Sequence, residues 1–466
     1  MKQICHSSSW WRRNNYFLLF TLSSLLNATW FTTTTAALAL SSSSSPTPKI
    51  SCQTVDCAII GGGPAGLAAA IAISQSSPQT SIAIYEQDEF QPRGASIRIS
   101  KRGWEAIQQL KAPALKKKLK KTSVPIRAVE TKAWYGDSAT TQGFQVKEPG
   151  IVKKVVSKIT KPLFSLLLRM GAGIHLWHDI RMVLKEHAVK YYPSESHNTN
   201  ASFLNKNCRL TNIVALDASN ENDDEQFELT FQQQNHNKNN EVQLLQVKSK
   251  YVIACDGTKS QVRAMLPNEL DVLLAEEKSV WRGLAPNIDV HGKATFYRGT
   301  ADENTQGRSA LIFPGGRKVG ASWTVISDLE DGKASSMEEA KERALRVVQT
   351  MGDENCKVMQ EVISDSNFVV ENKLMVRDFD KPWESSYDGL VFLGDAAHPV
   401  RPTGEGMALA FEDAAVLADL LLAHSGMSVQ TLRTWEQKRY LPIKTISEEI
   451  RSGAQSYYSD KSSASR

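Results

Sequence analysis

The sequence predicts an α/β fold, a Rossmann-like domain carrying an inserted β-sheet-plus-helix domain. Three observations predict it. Residues Val55–Glu86 read as a buried strand, a glycine turn, an Ala/Ile-rich helix and a second strand. From about 278 to 375 the chain changes to short β-type runs spaced by Gly and Pro, followed by a Glu/Lys/Ala-rich helix. After Asp388 the first style returns, with "GLVFLGD" leading into a long apolar helix.

The 466 residues suit two domains. With 41% hydrophobic and 23% charged residues the composition is that of an ordinary globular chain. The net charge of +5 is mild, and much of it lies in "KAPALKKKLKKT" (Lys111 to Thr122). No aromatics interleave with those lysines, so a solvated helix face fits better than a nucleic-acid surface. The cysteines at 5, 52, 57, 208, 255 and 356 have no CxxC spacing and no attendant His cluster. Reduced thiols are expected, with neither a metal site nor a disulfide framework.

Asp56 is the first acidic residue. Before it, Lys2, Arg12 and Arg13 precede an apolar stretch (Tyr16 to Phe31), then Ala37-Leu38-Ala39 and "SSSSSPTP". This is the layout of a cleavable secretory signal, and the Ser/Thr-rich, acid-free tail also suits an organelle transit segment. The apolar stretch is short and polar-interrupted for a membrane span. Residues 1–50 are therefore set aside as a targeting or disordered segment, and no stable membrane span is expected in the mature chain.

The first strand is "VDCAIIG", the helix "PAGLAAAIAISQ" and the second strand "SIAIYE". Helices are expected around Lys101 to Leu119 and Asp179 to Val189. From about 192 to 248 the Asn/Gln-rich chain reads as loops or a hairpin with a low-complexity insertion. A third buried strand, "KYVIACDG" (Lys250 to Gly257), closes a first domain of residues 51–275. The β-rich insert follows at 276–384, with a helix over Met337 to Met351. Residues 385–466 return to the first domain and end in helices.

Three glycine stretches carry the chemistry. In "GGGPAG", Gly61, Gly63 and Gly66 occupy the three positions of G-x-G-x-x-G between strand and helix. Gly61 permits the tight turn, Gly63 lets backbone approach a pyrophosphate, and Gly66 lets helix pack on strand. Ala65 lies within the same turn, and the helix N-terminus favours an anion. Glu86, about 20 residues on, ends the second strand, where a carboxylate accepts from ribose hydroxyls. These features predict a bound dinucleotide. The second stretch, "ACDGTKSQVR" (Ala254 to Arg263), ends a strand in Asp256-Gly257. The third is "GDAAHPVRPTGEGMALAFEDA" (Gly394 to Ala414).

In this order and spacing the three stretches resemble the group A FAD-dependent monooxygenases, the aromatic hydroxylase and epoxidase class related to p-hydroxybenzoate hydroxylase. The resemblance covers about residues 55–445. It implies the FAD-binding domain of that type, with the insert as substrate domain. FAD is then the cofactor, and NADPH or NADH a transient reductant. The resemblance places Asp395 on the ribityl chain, Pro402 beside the isoalloxazine, and Gly404, Gly406 and Met407 at its pyrimidine end. It gives Asp256 a role near the pyrophosphate and nicotinamide nucleotide, with Arg263 a weaker candidate, and Arg93 a role near the phosphates.

The sequence departs from that pattern at Glu405, where the family has Gln, at Ala408, where it has Asn, and at Trp177, where it commonly has Arg. Cys255 stands where Ala is usual and reads as a small core residue. In the implied scheme reduced flavin reacts with O₂ to give a C4a-hydroperoxide that oxygenates a small-molecule substrate. The cofactor carries the chemistry, no catalytic side chain is assigned, and His398 reads as structural. Trp281, Phe296, Phe313 and Trp323 lie on the substrate-domain runs as core or pocket residues. Arg98 is a candidate for a substrate carboxylate. A reductase, dehydrogenase or halogenase of the same fold, or an inactive flavin-binding scaffold, stays open. The single Trp of "GASWTVIS" argues against the halogenase. NAD(P)H and free thiols suit an interior compartment such as a plastid, reached through the N-terminal segment, or the secretory route.

Overall fold

The computed structural model describes residues 50–458, apart from residues 93 and 333 and segments 136–143, 146–172, 193–200, 217–225, 236–240, 300–306, 317–319 and 329–331. Residues 1–49, expected from the sequence to be a targeting or disordered segment, Cys5 among them, and Arg93 lie outside the described residues.

The chain enters on β1 (Ile50–Ile60), whose apolar half from Val55 is mostly buried. Helix α1 (Pro64–Ser76) starts on a proline, whose fixed φ suits a first turn. It is buried almost all round, which is why its sequence is apolar without a polar face. Then come β2 (Ile82–Tyr85) and β3 (Ser96–Arg98). The single helix expected over Lys101–Leu119 is two, α2 (Lys101–Gln109) and α3 (Pro113–Thr122). Lys111 at φ 52° breaks the path and Pro113 starts the second helix. Helix α3 buries Leu115 and Leu119 and turns Lys117, Lys120 and Lys121 to solvent, as a solvated basic face does.

Strands β4 (Ala128–Ala133), β5 (Phe144–Gln145) and β6 (Ile174–Leu176) lead to α4 (Trp177–Tyr191). The polar region beyond it holds β7 (Leu204–Asn205), β8 (Cys208–Ala215) and β9 (Phe227–Asn235). Strand β9 pairs antiparallel with β10 (Glu241–Ala254), so a long hairpin stands where loops were the other option. Phe227, Leu229 and Phe231 alternate into the core, beneath the polar Gln residues of the same strand.

After α5 (Gln261–Met265) come β11 (Leu273–Ala285), β12 (Lys293–Arg298), β13 (Ser309–Pro314) and β14 (Ala321–Asp328). Helix α6 (Met337–Val348) is followed by a second helix the sequence reading missed, α7 (Asp353–Ser364). Its signal was Asp353 and Glu354 in the first turn and Met359, Val362 and Ile363 on one buried stripe. The chain closes with β15 (Phe368–Arg377), β16 (Leu390–Phe392), a 3₁₀ turn at Gly394–Ala396, α8 (Gly406–Ala423) and α9 (Val429–Tyr458).

Among the described residues, one mixed sheet has the order β7-β2-β1-β10-β9-β8, with β16 also pairing β10. A second has the order β15-β11-β14-β13-β12-β4-β5. Strand β4, far earlier in the chain, runs parallel to β12 and covers that strand's outer edge. The parallel register positions everything that follows. Ile60 lies opposite both Tyr85 and Ala254, and Ala254 lies opposite Phe392. Four strands therefore end together, and the residues after them leave at one carboxyl edge, where ligands bind in open α/β sheets.

Candidate active site

Gly61, Glu86, Cys255-Asp256 and Leu393-Gly394 all emerge at that edge. Gly61, at φ 104°, crosses so close to the next strand that a Cβ would lie 2.5 Å from the Cys255 carbonyl oxygen. A Cβ on Gly66 would lie 2.0 Å from the Gly61 oxygen. A Cβ on Gly394 would meet the Ala65 Cβ at 2.8 Å, so Ala65 is the floor on which the Gly-Asp turn rests. A Cβ on Gly406 would come 3.7 Å from Asp395 Oδ1. The three glycine stretches, far apart in sequence, thus form one contiguous surface.

Gly63 differs from these neighbours. Among the described residues, nothing beyond its chain neighbours lies within 4 Å of the Cβ it lacks. Its dihedrals, φ −73° and ψ 177°, suit any residue. Neither packing nor backbone strain requires glycine there, whereas a group approaching the backbone would. Helix α1 has no side-chain cap and no acid in its first turn, so its terminal N–H groups are available to an anion.

Glu86 is engaged on the protein side. Its Oε2 accepts from the Gly62 N–H at 2.7 Å and lies 2.8 Å from Arg181, and its Oε1 accepts from the Asp88 N–H at 3.0 Å. Arg181, on α4 and fully buried, also donates to the Gly62 carbonyl at 2.8 Å and pairs with Asp88 at 3.1 Å. Its guanidinium lies over Phe90 at 3.9 Å. One arginine therefore fixes the glycine loop and the acid that ends β2. Sequence reasoning missed it, although a charged residue among the buried positions Ile180, Leu184, His187 and Ala188 was a signal. Trp177, in place of the family arginine, begins α4 and packs on Gly94, so the cation stands one turn further along.

Two carboxylates follow strand ends at this edge, Asp256 after β10 and Asp395 after β16. Asp256 Oδ2 accepts from the N–H groups of Gln261 (2.6 Å) and Val262 (3.1 Å), capping α5, while its buried Oδ1 has no partner among the described residues. Burial raises its carboxyl above the ordinary range, against the lowering effect of those N–H groups. Asp395 keeps solvent-accessible surface, yet desolvation by surrounding protein raises its carboxyl too, opposed by His398 and Arg282. Arg282 of β11 lies near enough to Asp395 to oppose that rise, and desolvation lowers its guanidinium. Cys255 is buried, with its thiol raised chiefly by desolvation, as a core residue. Arg263 is spent on structure, pairing with Glu269 at 2.9 Å and lying 3.7 Å from the Phe392 ring.

The Gly394 turn is held from beneath by Asp413, a fully buried residue of α8. Asp413 Oδ2 accepts from the Gly394 N–H at 2.9 Å and lies 2.6 Å from His398 Nε2, and Oδ1 accepts from Arg439 at 2.8 Å. Burial alone would raise this carboxyl, but His398 and Arg439 outweigh it and hold it at about 2. His398 is thus committed to the loop's underside, with 0% exposure. The loop through Pro402 is tied to β11 by Arg401, which donates to both oxygens of Glu276 at 2.8 Å.

Helix α8 begins at Gly406 with no side-chain cap and no acid in its first turn. Met407 is buried, so it offers the site only its backbone. Glu405 is paired with Arg98 at 3.2 Å and accepts from Ser100 Oγ at 3.0 Å. Arg98 is thereby occupied on the protein rather than held for a substrate carboxylate, and it borders Gly404. Ala408 is fully buried against Gly103 of α2, leaving no room there for the family's asparagine.

The two faces of the second sheet pack differently. Trp281 and Trp323 point into a core with α6 and α7, and are ruled out as pocket walls. Phe296, Leu311 and Phe313 form the opposite cluster, with Ile174 of β6. Ser322 on that face accepts from the Ser96 N–H at 3.1 Å, joining the sheet to β3.

These residues fit FAD: an open glycine at an uncapped helix start, acceptors at Glu86 and the orphaned Asp256 Oδ1, Asp395 at the same edge, and a second uncapped helix start at Gly406. A family described as FAD binding domain matches residues 54–448. An FAD-dependent monooxygenase, nodY2 of Hypoxylon pulicicidum, is 43% identical over 79 residues, a stretch covering 16% of this chain and 17% of that protein. CtdE in complex with FAD and a substrate superimposes with TM-score 0.64 at 17% identity, over 87% of this chain and 90% of its own. HpxO of Klebsiella pneumoniae, complexed with FAD and uric acid, gives 0.60 at 18%, over 86% and 89%. The tetracycline destructase Tet(51) gives 0.60 at 15%, over 88% and 92%.

Proposed function

We propose, from the premise that this chain belongs to the FAD binding domain family and is an FAD-dependent flavoprotein oxidoreductase, that it is a monooxygenase using NADPH or NADH and O₂ to hydroxylate or epoxidise a small aromatic or polyene substrate. The convergence of the three glycine stretches at one carboxyl edge, with Gly63 open to a ligand, carries this reading.

Bound FAD supplies the electron transfer and the activation of oxygen. The chain supplies the rest. Backbone N–H groups at the start of α1, around Ala65 and Gly66, receive the pyrophosphate. Glu86 Oε1 accepts only from Asp88 among the described residues and keeps capacity for a ribose hydroxyl. Asp256 Oδ1 and Asp395 accept from hydroxyls along the cofactor. The Gly406 and Met407 N–H groups, with the dipole of an 18-residue helix, stabilise negative charge on the reduced ring. Pro402, on the loop braced by Arg401, borders the ring. Phe296, Leu311 and Phe313 form an apolar wall that admits a ring and excludes water. The uric acid bound by HpxO supports a small cyclic substrate. The N-terminal segment directs the chain to an organelle or the secretory route; a fluorescent fusion of residues 1–50 that stays diffuse in the cytosol would contradict this.

Anaerobic titration of the purified protein with NADPH and NADH, across phenols, purines and polyenes, tests the function. Flavin absorbance should bleach faster with one compound class. Bound flavin that neither nucleotide reduces would reject the monooxygenase in favour of a differently reduced enzyme or an inactive scaffold.

A further inference from the structure

Glu405 directly precedes α8. A carboxylate there is drawn to the helix's own terminal N–H groups, which carry partial positive charge. In this fold it turns away from them: α8 has no side-chain cap. Instead Oε1 lies 3.2 Å from Arg98 Nη2, and Oε2 accepts from Ser100 Oγ at 3.0 Å. The Arg98 and Glu405 side chains are only 11% and 18% exposed, and Ser100 is 3% exposed. Arg98 also donates to the Thr403 carbonyl at 3.4 Å, so it grips the chain on both sides of Gly404. Ser100 is fixed in turn as the N-cap of α2.

We propose that Arg98 and Ser100 are positioning residues that hold the Glu405 carboxylate off the N-terminus of α8, keeping those N–H groups available to the anionic edge of the cofactor. The inference rests on the FAD site proposed above. Two anions cannot share one helix start without raising each other's energy. A carboxylate released beside it would compete with reduced cofactor in particular, because that form carries the extra charge. Arg98 also neutralises Glu405, so the site gains no net negative charge where the sequence pattern of the family has an uncharged glutamine.

Three proteins test this: the parent, the double variant R98Q/S100A, and that variant carrying E405Q as well. For each, FAD affinity is measured by fluorescence titration of the apoprotein and the midpoint potential of bound FAD by dye equilibration. The double variant should bind FAD about tenfold more weakly and show a more negative potential. Adding E405Q should return both values to within about twofold of the parent. Unchanged affinity and potential in the double variant would overturn the proposal. So would a loss that E405Q does not reverse, because Arg98 would then be acting on FAD itself or on folding. A parent that takes up no FAD would instead overturn the proposed function.

Discussion

Gly63 and Gly66 lie three residues apart and differ in what surrounds them. A side chain at 66 collides with the Gly61 carbonyl, whereas a Cβ at 63 meets no described residue beyond its chain neighbours. Gly63→Val should therefore leave apoprotein stability within about 1 kcal/mol of the parent while lowering FAD affinity at least about a hundredfold. Gly66→Val should fail to fold. Thermal melts of the apoproteins beside FAD titrations would decide, and a Gly63→Val protein with full FAD occupancy would remove Gly63 from the site. Arg181→Met strands the Glu86 and Asp88 carboxylates and should cost about 3–5 kcal/mol, read by urea unfolding; an unchanged midpoint would contradict the bracing role. The turn of Gly61, Gly63 and Gly66 was readable because its spacing between strand and helix follows from backbone geometry, whereas Asp395 was reached only through the family resemblance. Arg181, Asp413 and the Arg98–Glu405 pair were not readable, because each acts on a partner distant in sequence, up to 307 residues away for Arg98.

At the scale of elements, the alternation of β11 to β14 separates structural from site residues. Trp323 and Val325 pack beneath α6 and α7, whereas Leu311 and Phe313 lie on the opposite face. Trp323→Ala should cost about 3–5 kcal/mol in a denaturant melt. Leu311→Trp should shift the substrate KM and leave FAD affinity within about twofold; a change in FAD binding alone would contradict this division. The sequence conveyed the β-type runs but not which face was covered, because α7, one of the two covering helices, follows only a short break after α6 and was not separated from it. The split of α2 from α3 was written in Pro113, and β4 joining the second sheet was not readable at all, since strand order is set by distant pairing.

For the whole molecule, buried neutral histidines set the acid limit. Desolvation holds His175 down at about 4, where its Nδ1 lies 2.8 Å from Thr122 Oγ1. Burial lowers His178 and His187 as well. The unfolded chain binds a proton at each near pH 6.5 while the folded chain resists it. Stability from these groups is complete above that value and falls as pH drops from about 6.5 toward 4, by roughly 3 kcal/mol for His175 alone. Melting temperature at constant salt should decline across that window, more gently in His175→Gln; an identical slope would contradict the assignment. Whether three distant stretches build one flavin site serving oxygenation is tested most directly by stopped-flow absorbance of the FAD-loaded protein, mixed anaerobically with NADPH or NADH, with and without each candidate substrate. Flavin should bleach, and one small aromatic or polyene class should accelerate the bleaching. A protein that retains no flavin, or whose flavin neither nucleotide reduces under any condition, would contradict such a site.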